Sequence, residues 1–141
     1  MLDNMSAEIF IKVPFYDLDP MNVVWHGNYL KYFEEVRCEL LDKINYGYVE
    51  MKESGYVWPI IDVRLKYVNS ASFGQQIKCT ATIKEYENRL KINYEISSVE
   101  TGKRLTKGYT IQVAIDLNSN DMQLVSPKVL LEKLGISDAA S

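Results

Sequence analysis

Two hydrophobic periods succeed one another along the 141-residue chain. Ile9, Ile11, Val13 and Phe15 alternate with Glu8, Phe10, Lys12 and Pro14, which is nearly the period of two of a strand with one buried face. From Asn28 to about Tyr46 the step becomes three and four. Tyr29, Phe33, Val36, Leu40 and Ile44 form a stripe, while Lys31, Glu34, Glu35, Glu39, Asp42 and Lys43 fill other positions. This predicts an amphipathic helix about 28 Å long at 1.5 Å per residue. Asn28 suits its N-cap and Gly47 a left-handed stop.

After Gly55 the period of two returns in four runs. They are Ile61 to Tyr67, Ile77 to Ile83, Leu90 to Ile96, and Leu105 through Tyr109 to Ile115. Polar turns near Glu87 and Asn88, and at Thr101 and Gly102, are short enough to make the runs antiparallel. A turn at Asn118 to Asp121 leads to an expected short strand at Gln123 to Val125. Ser126 and Pro127 then open a brief helix that stops at Gly135. Strand, long helix and a four-strand meander together read as α+β: an antiparallel sheet curved around one central helix, in one domain spanning residues 1–141. The polar face of each strand then points outward, to water or to another subunit.

Composition narrows the function classes. A net charge of -3 gives no electrostatic footprint for DNA or RNA, so the expectation is no nucleic-acid partner. No apolar run approaches the ~20 residues of a membrane helix, and Met1 to Ala7 lack a secretory pattern, so the default expectation is a cytoplasmic protein with no membrane partner. Cys38 and Cys79 read as buried or half-buried thiols. With one histidine and no metal-ligand spacing, the expectation is no metal and no cofactor.

The informative stretch is Tyr16 to Tyr29, which joins a strand to a helix start and holds Asp17, Asp19 and the lone histidine, His26. A helix N-terminus presents unpaired N–H groups and partial positive charge, suited to an oxygen that turns negative during acyl transfer. A carboxylate beside it can act as nucleophile or as general base. Pro20 biases Asp19 to extended backbone, a constraint Asp17 lacks. The bland alternative is that one aspartate caps a turn and the other is solvated. His26 could orient water or make an ordinary hydrogen bond. Glu34 and Glu35 suit a solvated helix face, and Trp25, Tyr29 and Trp58 suit either a pocket lining or the core. A Gly-x-Ser-x-Gly elbow and a Gly-rich phosphate loop are both absent.

From Asp17 to Arg37 the run Asp-Leu-Asp-Pro-Met-Asn-Val-Val-Trp-His-Gly-Asn-Tyr-Leu-Lys-Tyr-Phe-Glu-Glu-Val-Arg resembles the 4-hydroxybenzoyl-CoA thioesterase family, including its YbgC-like acyl-CoA thioesterases. The resemblance implies a hotdog fold and hydrolysis of an acyl-CoA or acyl-carrier-protein thioester. It implies Asp19 as the catalytic carboxylate and His26 at the position whose backbone N–H polarises the carbonyl; Trp25 and Asn28, beside them in the loop, are the expected substrate-binding residues. It also implies sites built between subunits of a homodimer or homotetramer. Two positions depart from the family: Met21-Asn22 replaces a small, Gly-containing pair, and Phe15 stands where YbgC-like members often carry tyrosine. Two rival readings keep the fold. One is a hydroxyacyl-thioester dehydratase, whose His-Phe-Pro type loop is absent here; the other is a non-catalytic acyl-thioester-binding module.

Overall fold

A computed structural model describes residues 5–136. Strand β1 (Ser6–Lys12) leads through a 3-10 turn (Phe15–Asp17) and a loop into helix α1 (Asn28–Lys43). A short helix α2 (Tyr48–Glu53) and strand β2 (Tyr56–Val57) follow. Strands β3 (Ile60–Tyr67), β4 (Gln76–Glu85), β5 (Leu90–Ser98), β6 (Arg104–Gln112) and β7 (Ile115–Asp116) come next, and helix α3 (Lys128–Lys133) ends the described chain. The main sheet is antiparallel in the order β1-β4-β5-β6-β3, and β2 pairs with β7.

Strands β1, β4 and β5 turn alternating side chains inward towards α1, whereas β3 is exposed along its length except at the half-buried Leu65. Ile77, Cys79, Ala81, Leu90, Ile92 and Ile96 pack against Phe33, Val36, Leu40 and Leu41, all fully buried. The rings of Phe33 and Tyr94 stack with centroids 4.4 Å apart. Gly108 makes that fit possible, because a Cβ there would lie 3.0 Å from the Phe33 ring and 2.1 Å from the Arg64 carbonyl oxygen. At about 25 cal/mol per Å² of apolar surface, this shared face is the main source of stability.

The expected four-strand meander is a three-strand one. β3 pairs with β6 at the far edge of the sheet rather than with β4. Residues 68–75 cross three strand spacings, about 14 Å, well within the roughly 26 Å that eight extended residues reach. The crossing is held by the Val24 N–H to Ala71 carbonyl bond of 2.8 Å and by a bridge between Val23 and Ser72.

Helix boundaries also differ from expectation. Gly27, not Asn28, is the N-cap, and α1 stops at Lys43. Asn45 takes the left-handed conformation (φ 56°) expected of Gly47, and Gly47 is extended (φ -69°, ψ -179°) as the N-cap of α2, which the periodicity had not revealed. Gln123 to Val125 forms no strand; β7 precedes that turn, and Gln123 donates to the Ala114 carbonyl at 2.8 Å. The brief terminal helix and its stop at Gly135 are as expected. Both cysteines are free thiols, and burial pushes the Cys79 thiol up to about 12.

Candidate active site

The two loop aspartates occupy different environments. Asp17, 3% exposed, accepts hydrogen bonds from the Lys31 ammonium and the Tyr32 hydroxyl, both at 2.6 Å. Its backbone carbonyl accepts the Trp25 N–H and the Asn28 side-chain amide, both at 2.9 Å. Asp17 therefore rivets the loop to the first turn and a half of α1. Burial, followed by the Asp17 hydrogen bond and charge, drives the Tyr32 phenol far above its ordinary value, since its anion would face a carboxylate.

Asp19 sits half-buried at the base of a small hairpin. Its N–H donates to the Val23 carbonyl at 2.9 Å, and its own carbonyl accepts the Asn22 N–H at 2.9 Å. Oδ1 accepts the Met21 N–H at 2.8 Å and the Val23 N–H at 3.4 Å. Among the described residues no donor is bonded to Oδ2. The carboxylate is thus aimed by backbone amides with one oxygen left unengaged. At the Met21-Asn22 pair the turn is closed by Asn22, which takes a positive φ (63°) that asparagine tolerates better than most side chains.

Beyond the hairpin the chain enters α1 through Trp25, His26 and Gly27. Trp25 is half exposed and its ring folds over Gly27, where a Cβ would lie 2.2 Å from the ring. Only glycine fits beneath it. The His26 ring lies beside the rings of Trp25 (5.0 Å) and Tyr67 (6.3 Å), and the Tyr67 hydroxyl donates to the His26 carbonyl at 3.0 Å. Among the described residues, no acceptor is bonded to the His26 or Gly27 amide N–H. Tyr29 links the two halves of the site: its ring is 5.5 Å from Tyr67, its hydroxyl accepts the Ala71 N–H at 3.1 Å, and it feels the Asp19 charge. Burial is the largest cause of its raised pKa.

The four sequence-predicted site residues therefore share one loop, with different duties. Asp19 presents a carboxylate, and Trp25 and His26 are exposed at the helix entry. Asn28 spends its side-chain N–H on the Asp17 carbonyl, so that donor braces the loop. No hydrogen bond joins the His26 imidazole to Asp19. Glu34 and Glu35 are exposed on the helix, as expected. Trp58 is core, its ring N–H bonded to the Tyr46 hydroxyl. Tyr67 and Ala71 were missed: they join the site through the β3–β4 crossing, which no local pattern announces.

The family model for the thioesterase-like superfamily matches residues 13–134, and the chain belongs to that superfamily. It is 30% identical over 128 residues, 90% of its length and 77% of the other's, to sll0410 of Synechocystis sp., provisionally named an esterase. It is 36% identical over 74 residues, 52% of its length and 53% of the other's, to the acyl-CoA thioesterase YbgC of Helicobacter pylori. The solved structure of DHNA-CoA thioesterase from Staphylococcus aureus matches with a TM-score of 0.74 at 26% identity, covering 83% of this chain and 78% of that one. The sheet around one helix is thus the hotdog fold, and the class expected from the loop, acyl-thioester hydrolases, is the class found.

Proposed function

We propose that the protein hydrolyses acyl-CoA thioesters, with Asp19 as the reacting carboxylate and the amides at the start of α1 as donors to the thioester carbonyl. The observation that carries this reading is the inequality of the two aspartates. Asp17 is saturated by a cation and a phenol, whereas Asp19, in the same loop, keeps an oxygen with no partner among the described residues, and the loop ends at two unpaired helix-entry amides. As nucleophile, that oxygen attacks the carbonyl carbon, the C–S bond breaks, the thiolate leaves, and water cleaves the mixed anhydride. As general base, it takes the proton of a water attacking the same carbon. Both routes end in one free acid and one thiol. The His26 and Gly27 amides would hold the oxyanion, a role worth about 3 kcal/mol per donor. In this reading His26 contributes through its backbone, and Trp25 borders the acyl group.

The active form in this reading is a homodimer or homotetramer. β3 has a partner on one side only, and Ile61, Val63 and Tyr67 along it are about half exposed. Such an eight-residue edge invites pairing with a second copy. A carrier-protein thioester offers the same bond and stands as a second substrate.

Thiol release from short, long, branched and aromatic acyl-CoAs, with analysis of the acyl product and light scattering on the same sample, tests the reading. Free thiol with an unchanged acyl chain, from an oligomer, is expected. An enoyl product would mean dehydration, and binding without turnover a non-catalytic module; either result overturns it.

A further inference from the structure

The outward side chains of the sheet take no part in this chemistry, yet their charge is far from that of the whole chain. β3 brings Arg64 and Lys66 to the outer face, β4 brings Lys78 and Lys84, β5 brings Lys91, and β6 brings Arg104 and Lys107. They surround a shallow groove of about 750 Å³ floored by Thr80, Thr82, Asn93 and Ser97. Glu95, bound to Arg104 at 3.2 Å, is the only carboxylate lining it among the described residues. Among the described residues the groove is therefore lined by seven basic residues and one acidic one, in a chain that has 16 basic and 19 acidic residues in all.

Arg64, Lys66, Lys78, Lys84 and Lys107 have no carboxylate within ion-pair distance among the described residues. Like charges held on neighbouring strands repel within a Debye length of about 8 Å, so the face favours a bound polyanion. A second copy meeting it face to face would bring like charge to like. Among the described residues no aliphatic side chain lines the groove to enter a lipid layer. Single-stranded nucleic acid binds largely by stacking on aromatic rings. Among the described residues that line the groove, the one ring outside the core, Tyr109, already lies under the Lys91 ammonium at 4.5 Å, and Phe10, opposite Lys78 on β1, adds a single ring at the margin rather than a stacking row.

Size selects among the remaining anions. Three strand spacings from β4 to β3 give a width of about 14 Å, and the six residues from Lys78 to Lys84 a length of about 20 Å. That exceeds a single phosphate group and matches a helix about 10–12 Å across and roughly four turns long. Small hydroxyls and an amide on the floor leave room for it and can bond its carboxylates. We propose that this groove docks an acidic helix presented by a partner protein.

The test uses the full chain and a labelled 20-residue peptide with glutamates spaced three and four apart along one helix face, followed by fluorescence anisotropy. Saturable 1:1 binding at low salt is expected, weakening by about 10-fold between 20 and 200 mM NaCl. Lys78→Glu with Lys107→Glu should weaken it by at least ~10-fold, and Lys52→Glu on α2 by less than about 2-fold, with melting temperatures unchanged. If the double reversal does not fold, Lys78→Gln with Lys107→Gln should still weaken binding by about 3-fold or more. No saturable binding, or binding indifferent to these changes, overturns the proposal. So does tighter binding of a single-stranded DNA of equal charge or of phosphatidylglycerol vesicles.

Discussion

Replacing Asp17 by asparagine should weaken the side-chain fastening of the active-site loop to α1 while the Asp17 carbonyl keeps its bonds to Trp25 and Asn28, and the structure sets the size of the effect. The carboxylate is 3% exposed and accepts two bonds of 2.6 Å, from Lys31 and Tyr32. The phenol bond is buried, and a hydrogen bond to a charged group contributes about 1.5–3 kcal/mol. The Lys31 side chain is 46% exposed, so solvent screening limits its share to about 1 kcal/mol or less. Asparagine keeps the shape and one acceptor while losing the charge, so a loss of roughly 2–3 kcal/mol is expected. For a domain of this size that is a fall in Tm of about 6–10 °C. A urea-melt double-mutant cycle with Tyr32→Phe and Lys31→Met apportions it. The Asp17–Tyr32 coupling should exceed the Asp17–Lys31 coupling, because only the former is shielded from water. A Tm within about 2 °C of wild type, or the reverse order of couplings, would refute this reasoning.

Three further outcomes follow from the geometry. Asn22→Ala should cost about 1–2 kcal/mol in a urea melt, because alanine resists the left-handed backbone at that turn, whereas Asn22→Gly should cost far less; equal costs would contradict the turn assignment. Gly27→Ala should expel the Trp25 ring from its seat, seen as altered tryptophan fluorescence, and lower turnover by roughly 10-fold through misplaced helix-entry amides; unchanged emission would count against that packing. Alkaline stability should decline from about pH 9 upward. Burial holds the Cys79 thiol at about 12 in the folded chain against an ordinary 9.0, and lifts the Tyr29, Tyr32 and Tyr94 phenols above 10.0. Stability from such groups is complete below the unfolded pKa and is lost as pH rises towards the folded one. Urea midpoints between pH 8 and 12 should show the decline, and Cys79→Ala should flatten its first part; a level profile in the unmodified protein would be contrary.

What was legible in the chain was local. The stripe Tyr29, Phe33, Val36, Leu40 located α1, and the alternation around Ile77, Leu90 and Ile111 located three sheet strands, because burial on one face imposes a period that side-chain direction fixes. Asp19 stood out because Pro20 and a helix start flank it. Pairings between distant segments were not legible. Nothing near Ile60 to Tyr67 says that β6, some 40 residues later, is its neighbour, so local periodicity predicts too regular a meander and gives no sign that Tyr67 reaches the site. The grip of Lys31 and Tyr32 on Asp17 depends on how the loop folds back over α1, which spacing alone does not encode. Gly47 misled for a related reason: Asn45 could also adopt the left-handed backbone, and it did so two residues earlier. Net charge concealed the basic outer face by averaging it with an acidic remainder.

The central claim is that Asp19 is the reacting carboxylate, and the most direct measurement is thiol release by Asp19→Asn beside wild type and Asp17→Asn. The asparagine Oδ1 can still accept the Met21 N–H, so the hairpin should keep its shape while the anionic oxygen is lost. Turnover by Asp19→Asn should fall by about 10²-fold or more with Tm and oligomeric state unchanged. Asp17→Asn, assayed well below its lowered Tm, should stay within a few-fold of wild type. A well-folded Asp19→Asn protein that releases thiol at near the wild-type rate would contradict the account and move the chemistry off this residue.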